Sequence, residues 1–153
     1  MLIMNQEADM MDIKDIFKVL PHRYPFLMVD KMLEIEDNKR AVGMKNVTIN
    51  EPFFQGHYPG NPIMPGAMMM EAMAQVGGIM IMASRKGEKL VPFLAGIEKF
   101  RFKKPVSPGD TIIFEVEMIG GRGNMGKVKG IAKVDGKVVA QGEMSFALFP
   151  EKE

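Results

Sequence analysis

Two side chains in this 153-residue sequence titrate near neutral pH without help from their surroundings, His22 and His57. General acid–base chemistry points to them first. His57 lies in Phe53–Gly66, where three prolines and three glycines in fourteen residues prescribe a backbone path and so aim side chains. That stretch runs directly into an apolar segment whose polar exceptions are Glu71 and Gln75. Four residues apart, they share one face of a helix. Burial among Met, Ala, Val and Ile raises a carboxyl pKa toward the range of a general acid, whereas a sheet-edge position leaves Glu71 merely solvated. Gly66 adds a third element, because backbone N–H groups at a helix N-terminus are unpaired and sit at the positive end of the dipole. Loop histidine, helix-terminal amide and inward carboxylate together suit removal of a proton beside a carbonyl and protonation of a leaving group.

The elements that must position these groups are legible in the periodicities. Asp12–Leu20 carries Ile13, Ile16, Phe17 and Leu20 at i, i+3, i+4, i+7 and stops at Pro21, which predicts a short amphipathic helix. Met28–Glu36 and Arg40–Thr48 flank Asp37-Asn38 and predict a hairpin, while Asn50–Pro65 is a shaped loop. Pro65-Gly66 opens a long helix, Ala67 to about Arg85, apolar on most faces and ending near Gly87. From Val91 the period becomes two. Phe114, Val116 and Met118 alternate with Glu115 and Glu117, and Val138, Ala140, Met144, Phe146 and Leu148 fall on one face of the last strand. Asp135-Gly136 is a type I′ hairpin signal. The composite is an α+β fold, an antiparallel sheet of about five or six strands wrapped round one long central helix, in a single domain over residues 1–153.

Composition narrows the function. Twenty Lys and Arg against nineteen Asp and Glu give a net charge of +1, too little for a broad cationic field toward nucleic acid. With 46% hydrophobic and 25% charged residues the chain is ordinary globular material. No cysteine is present, which removes disulfides, thiolate catalysis and iron–sulfur ligation, and two histidines without ligand spacing predict no metal site. Met1–Asp12 has three acids and no base, unlike a secretory signal. The apolar run Ala67–Ala83 contains Glu71, Gln75, Gly77 and Gly78 and reads as a buried helix rather than a membrane span.

The stretch His57-Tyr58-Pro59-Gly60-Asn61-Pro62-Ile63-Met64-Pro65-Gly66, followed by Glu71-Ala72-Met73-Ala74-Gln75, resembles the active-site signature of the (3R)-hydroxyacyl-acyl carrier protein dehydratases of bacterial-type fatty acid synthesis. Leu20–Asp30 resembles that family's N-terminal motif and Phe102–Asp110 its later one, so the likeness runs from about Met11 to Phe149. Tyr58 and Asn61 depart from it, standing where the family most often has Phe and His. The resemblance implies a hot-dog fold and a cytoplasmic enzyme without cofactor. It implies His57 as base on the C2 proton, Glu71 assisting loss of the C3 hydroxyl as water, the Gly66 amide on the thioester carbonyl, and Gln75 ordering the site and binding substrate. Glu71, where the isomerising sister enzyme has Asp, favours the plain dehydratase. The resemblance also implies a homodimer whose sites take His57 and Glu71 from different subunits, gathered into a trimer of dimers, and an acyl carrier protein as partner.

For that acidic partner the sequence offers Lys99, Arg101 and Lys103, which on a strand share one face while Phe100 and Phe102 take the other, with Lys104 next. An ordinary solvated strand face gives the same pattern. Met68 and Met69 are candidates for lining an acyl tunnel, a role that core packing mimics. Gly121–Gly126 fits G-x-G-x-x-G, but strand follows it, so it reads as a hairpin connection rather than a dinucleotide site. His22, in Pro-His-Arg-Tyr-Pro beyond the first helix, is read as structural. The rival functions are a hot-dog acyl thioesterase, activating water with its carboxylate, and a non-catalytic acyl-binding protein on the same fold.

Overall fold

The computed structural model describes residues 10–152; most of Met1–Asp12, read above as no secretory signal, lies outside the described residues. Helix α1 spans Ile13–Val19. Asp12 caps it, accepting the Asp15 N–H at 3.0 Å while the Asp15 carboxylate accepts the Asp12 N–H at 3.3 Å, a reciprocal capping box. The Asp15 amide holds the Asp12 carboxyl below its ordinary pKa. Ile16 points inward and is fully buried.

Six strands follow: β1 Lys31–Glu36, β2 Arg40–Asn46, β3 Leu90–Phe102, β4 Thr111–Arg122, β5 Met125–Val134 and β6 Lys137–Pro150. They form one sheet in the order β1-β2-β4-β5-β6-β3, with every neighbouring pair antiparallel. Helix α2, Gly66–Ala83, is cradled by this sheet and packs against β1, β2, β3, β4 and β5. Val76, Ile79 and Met80 on it are fully buried, and they join Phe114, Val128 and Met144 of the sheet in one contiguous core. By length and composition α2 could cross a membrane, yet 72% of the span is buried inside the fold. It is a core helix, and the architecture is the hot-dog fold.

The two-residue turns fall where they were predicted. Asp135 and Gly136 have φ of 50° and 76° and join Val134 to its pair Lys137. Gly123-Asn124 closes the β4–β5 hairpin inside the G-x-G-x-x-G run, which is strand on both sides. Two expectations of alternation need correction. In β6 the pairing steps from Val138 to Ala140 against consecutive residues of β5, so the bulge buries Val139, while Val138 is only half-buried.

The second correction concerns the cations of β3. Four residues from Glu98 to Arg101 face three from Glu143 to Gln141, a bulge at which Lys99 takes φ 55°. Strand β3 then ends at Phe102, so Lys103 and Lys104 leave the strand and both donate backbone N–H to Val139 O. Lys99, Arg101 and Lys103 therefore do not line one strand face. Lys99 lies 3.7 Å from Glu143, which Lys127 also approaches. Among the described residues, Arg101, Lys103 and Lys104 form no ion pair. The two rings do stay together, with centroids 5.5 Å apart: Phe100 lies over Gly142, and Phe102, half exposed, lies against Gly66.

Candidate active site

The loop that carries His57 is anchored at both ends. Lys45 on β2 is almost completely buried, and its ammonium donates to Glu51 at 2.8 Å just before the 3-10 turn Pro52–Gln55. At the far end Met64 N–H donates to Val106 O at 2.8 Å. Between these anchors, the His57 and Ile63 backbones meet through Ile63 N–H to His57 O at 3.3 Å. The His57–Tyr58 peptide is cis, and the Tyr58 ring tilts against the imidazole with centroids 4.0 Å apart.

Within this frame His57 Nδ1 lies 2.7 Å from Ile63 O. A carbonyl oxygen can only accept, so Nδ1 carries a proton, and in the neutral ring Nε2 is the nitrogen with the lone pair. The backbone has thereby fixed the tautomer a base requires.

Gly66 is the first residue of α2, where Met68 and Met69 N–H turn back to Pro65 O at 3.0 and 3.1 Å. The Gly66 and Ala67 amides have no place in the intrahelical ladder and are available to an oxyanion. A Cβ at position 66 would stand 3.0 Å from the Phe102 ring, which would have to shift by a few tenths of an ångström to make room.

About two and a half turns further on, Gln75 is 2% exposed and its amide protons are both committed. Its Oε1 accepts Met28 N–H at 2.8 Å, and its Nε2 donates to Phe26 O at 2.7 Å and to Glu71 Oε1 at 3.2 Å. Backbone partners fix the amide orientation, since an N–H must meet oxygen and a carbonyl must meet NH₂. Gln75 thus clamps Phe26–Met28 to α2 and holds Glu71. With both amide protons spent, Gln75 orders this part of the site. Gln75→Leu leaves Met28 N–H buried without a partner, and should lower the free energy of unfolding by about 1–3 kcal/mol in a denaturant titration.

Glu71 opens into a cavity of about 410 Å³ lined by Pro21, His22, Ala74, Gly78, Phe93 and Leu94 among others, a predominantly apolar slot along α2. Met68 and Met69 are not on its wall: Met69 is core and Met68 packs against it. His57 and Gly66 are not on it either, so a single chain does not bring the base and the carboxylate to one cavity. A larger cleft of about 790 Å³ between α1 and the end of α2 holds none of the predicted site residues.

The structure adds a residue that sequence reasoning set aside. His22 Nε2 lies 3.6 Å from Glu71 Oε1, and its ring stacks on Phe26 with centroids 5.9 Å apart. Forty-nine positions separate the two, so spacing carried no signal. The available hint was that two polar residues on an apolar helix need polar partners from another segment.

Comparison with known proteins identifies the chain's relatives. A family model described as "FabA-like domain" matches residues 20–143. A protein named "3-hydroxyacyl-[acyl-carrier-protein] dehydratase FabZ" from Caldicellulosiruptor saccharolyticus is 55% identical over 139 residues, 91% of this chain and 99% of that protein. A protein of the same name from Geobacillus thermodenitrificans is 52% identical over 91% of this chain and 96% of its own length. Among solved structures, "The Dehydratase Heterocomplex ApeI:P from Xenorhabdus doucetiae" superposes with a TM-score of 0.76 at 19% identity, covering 90% of this chain and 91% of that one, and shares the fold. With the family match spanning most of the chain and relatives of one name at about half identity over nearly their whole length, this chain belongs to the FabA-like dehydratase family, among the proteins named FabZ.

Proposed function

We propose that this protein dehydrates (3R)-hydroxyacyl-acyl carrier protein to the trans-2-enoyl thioester in bacterial-type fatty acid synthesis, in the cytoplasm and without a cofactor. The observation that carries the reading is the bond from His57 Nδ1–H to Ile63 O at 2.7 Å, which in the neutral ring makes Nε2 the nitrogen that can act as base. Nε2 takes the C2 proton, and the negative charge passing to the thioester oxygen is met by the amide at Gly66. The C2–H electron pair becomes the C2=C3 bond as the C3–O bond breaks, and Glu71 gives its proton to the departing hydroxyl, which leaves as water. The proton gained by His57 and the one lost by Glu71 balance, so exchange with solvent restores the site. Incubation with a 3-hydroxyacyl thioester should raise the absorbance of the conjugated enoyl product; release of free thiol instead would favour the thioesterase.

The second part of the reading is that the working site is shared between two copies of the chain. Support comes from the separation of His57 from the cavity holding Glu71 and from β3, a thirteen-residue edge strand exposing Phe93 and Ile97. A second copy adding its own β3 would continue the sheet and cover that edge. Such dimers gather in threes.

The carrier protein docks beside Phe102, the residue that lies on Gly66 and is flanked by Arg101 and Lys103. Forming no ion pair among the described residues, these two cations and Lys104 can meet an acidic partner, while Lys99 is partly neutralised by Glu143. Charges at the rim of an interface act chiefly on association rate and its salt dependence. Reversing Arg101 and Lys103 to Glu should raise KM for carrier-linked substrate roughly tenfold at low salt, and less at high salt. A small thioester analogue should be turned over as before. Equal losses on both substrates would place the two residues in folding or in the pocket.

A further inference from the structure

The cavity of Glu71 contains a titratable group that the reaction above does not use. His22 follows Pro21 and is held by its neighbour: Arg23 donates to Leu20 O and His22 O at 2.7 Å each and to Phe17 O at 2.9 Å, with its guanidinium 4.5 Å from the centre of the Phe17 ring. Stacking on Phe26 fixes the other side, and Phe26 is itself tied to Gln75. The imidazole is therefore immobilised with Nε2 toward Glu71 Oε1 and Nδ1 turned inward. That Nδ1 is the one buried side-chain nitrogen or oxygen among the described residues without a hydrogen-bond partner.

An orphan Nδ1 determines the state of the ring. A buried N–H without an acceptor is rarer and worse tolerated than a bare acceptor, and a doubly protonated ring would bury a charged donor with nothing to receive it. In the neutral ring the single proton therefore sits on Nε2, aimed at the carboxyl group. A separation of 3.6 Å is not yet a hydrogen bond, but contacts of catalytic groups are commonly long in the free enzyme and tighten when substrate is bound.

We propose that His22 is a positioning residue for Glu71. Together with Gln75 Nε2 it directs two N–H donors at the same oxygen, Oε1, so that the acid's proton is confined to Oε2 and the negative charge left on the group after proton transfer is received by donors already in place. Two donors on one oxygen discriminate between the two protonation sites of the carboxyl group, which one donor does weakly. His22 makes no contact with the hydroxyl or the thioester in this arrangement; it acts through Glu71, and the inference rests on Glu71 being the acid.

His22→Phe keeps the ring and its stack on Phe26 but removes the donor, and should lower kcat for a 3-hydroxyacyl thioester about 10- to 100-fold with KM changed less than twofold. His22→Gln, whose amide nitrogen reaches the position of Nε2, should recover much of that loss, whereas His22→Asn, whose amide falls at Nδ1, should not. Combined with Glu71→Gln, the His22→Phe change should cost nothing further. Side-chain ¹³C and ¹⁵N shifts of His22 in the unaltered protein should report the neutral Nε2–H tautomer. An Nδ1–H tautomer, a kcat within twofold of normal in His22→Phe, equal behaviour of the Gln and Asn variants, or a full additional loss on Glu71→Gln would each overturn the proposal. Unimpaired turnover by Glu71→Gln alone would instead overturn the role of Glu71, while the tautomer measurement still stands on its own.

Discussion

His57→Ala should lower the turnover of a 3-hydroxyacyl thioester by about 10²–10⁴-fold, and Glu71→Gln should do the same, because each removes a positioned proton-transfer group. The losses belong in kcat, since neither group is asked to bind substrate more tightly than the transition state. The fold should survive both. His57 sits on a loop anchored independently of its ring by Lys45–Glu51 and by Met64–Val106, so truncation removes one side-chain bond to Ile63 O and leaves those anchors in place. At position 71 a glutamine is nearly isosteric and its amide oxygen can still accept from Gln75. Thermal unfolding within a few degrees of the unaltered protein, alongside the collapse of activity, is the expected pair of results. Near-normal dehydration by His57→Ala would refute the mechanism, however well the geometry fits it.

Much of the fold was legible because it depends on local pattern. The i, i+3, i+4, i+7 spacing of α1, the long apolar α2 and the Asp135-Gly136 turn each follow from residues within a few positions of one another. The bulges in β3 and β6 were not legible, because a bulge is set by the partner strand, and Phe100 finds its place only where Gly142 on β6 leaves room. One extra residue was enough to break the alignment expected of Lys99, Arg101 and Lys103. The candidate site divides in the same way. Spacing put Glu71 and Gln75 on one face and Gly66 at the helix start, and the structure joins the first two at 3.2 Å. The bond that sets the His57 tautomer and the approach of His22 to Glu71 come from chain segments meeting in space, so neither is marked by residue spacing.

Mixing the two inactive variants should restore activity. If each site takes His57 from one subunit and Glu71 from the other, a dimer of His57→Ala with Glu71→Gln contains one site carrying both lesions and one carrying neither. Random reassortment under two-fold symmetry then returns about one quarter of the normal sites. Against two parents each lowered by about 10²–10⁴-fold, that recovery is large and unambiguous. The structural grounds are that His57 is absent from the wall of the cavity that holds Glu71, and that the long β3 edge, with Phe93 and Ile97 exposed, is unpaired in one chain. Subunit exchange must be verified by differently tagged chains that co-purify after mixing. With exchange established, an activity no higher than that of the parents would mean that each chain brings its own His57 and Glu71 together, and the separation seen in the single chain would then have to close by movement of the His57 loop.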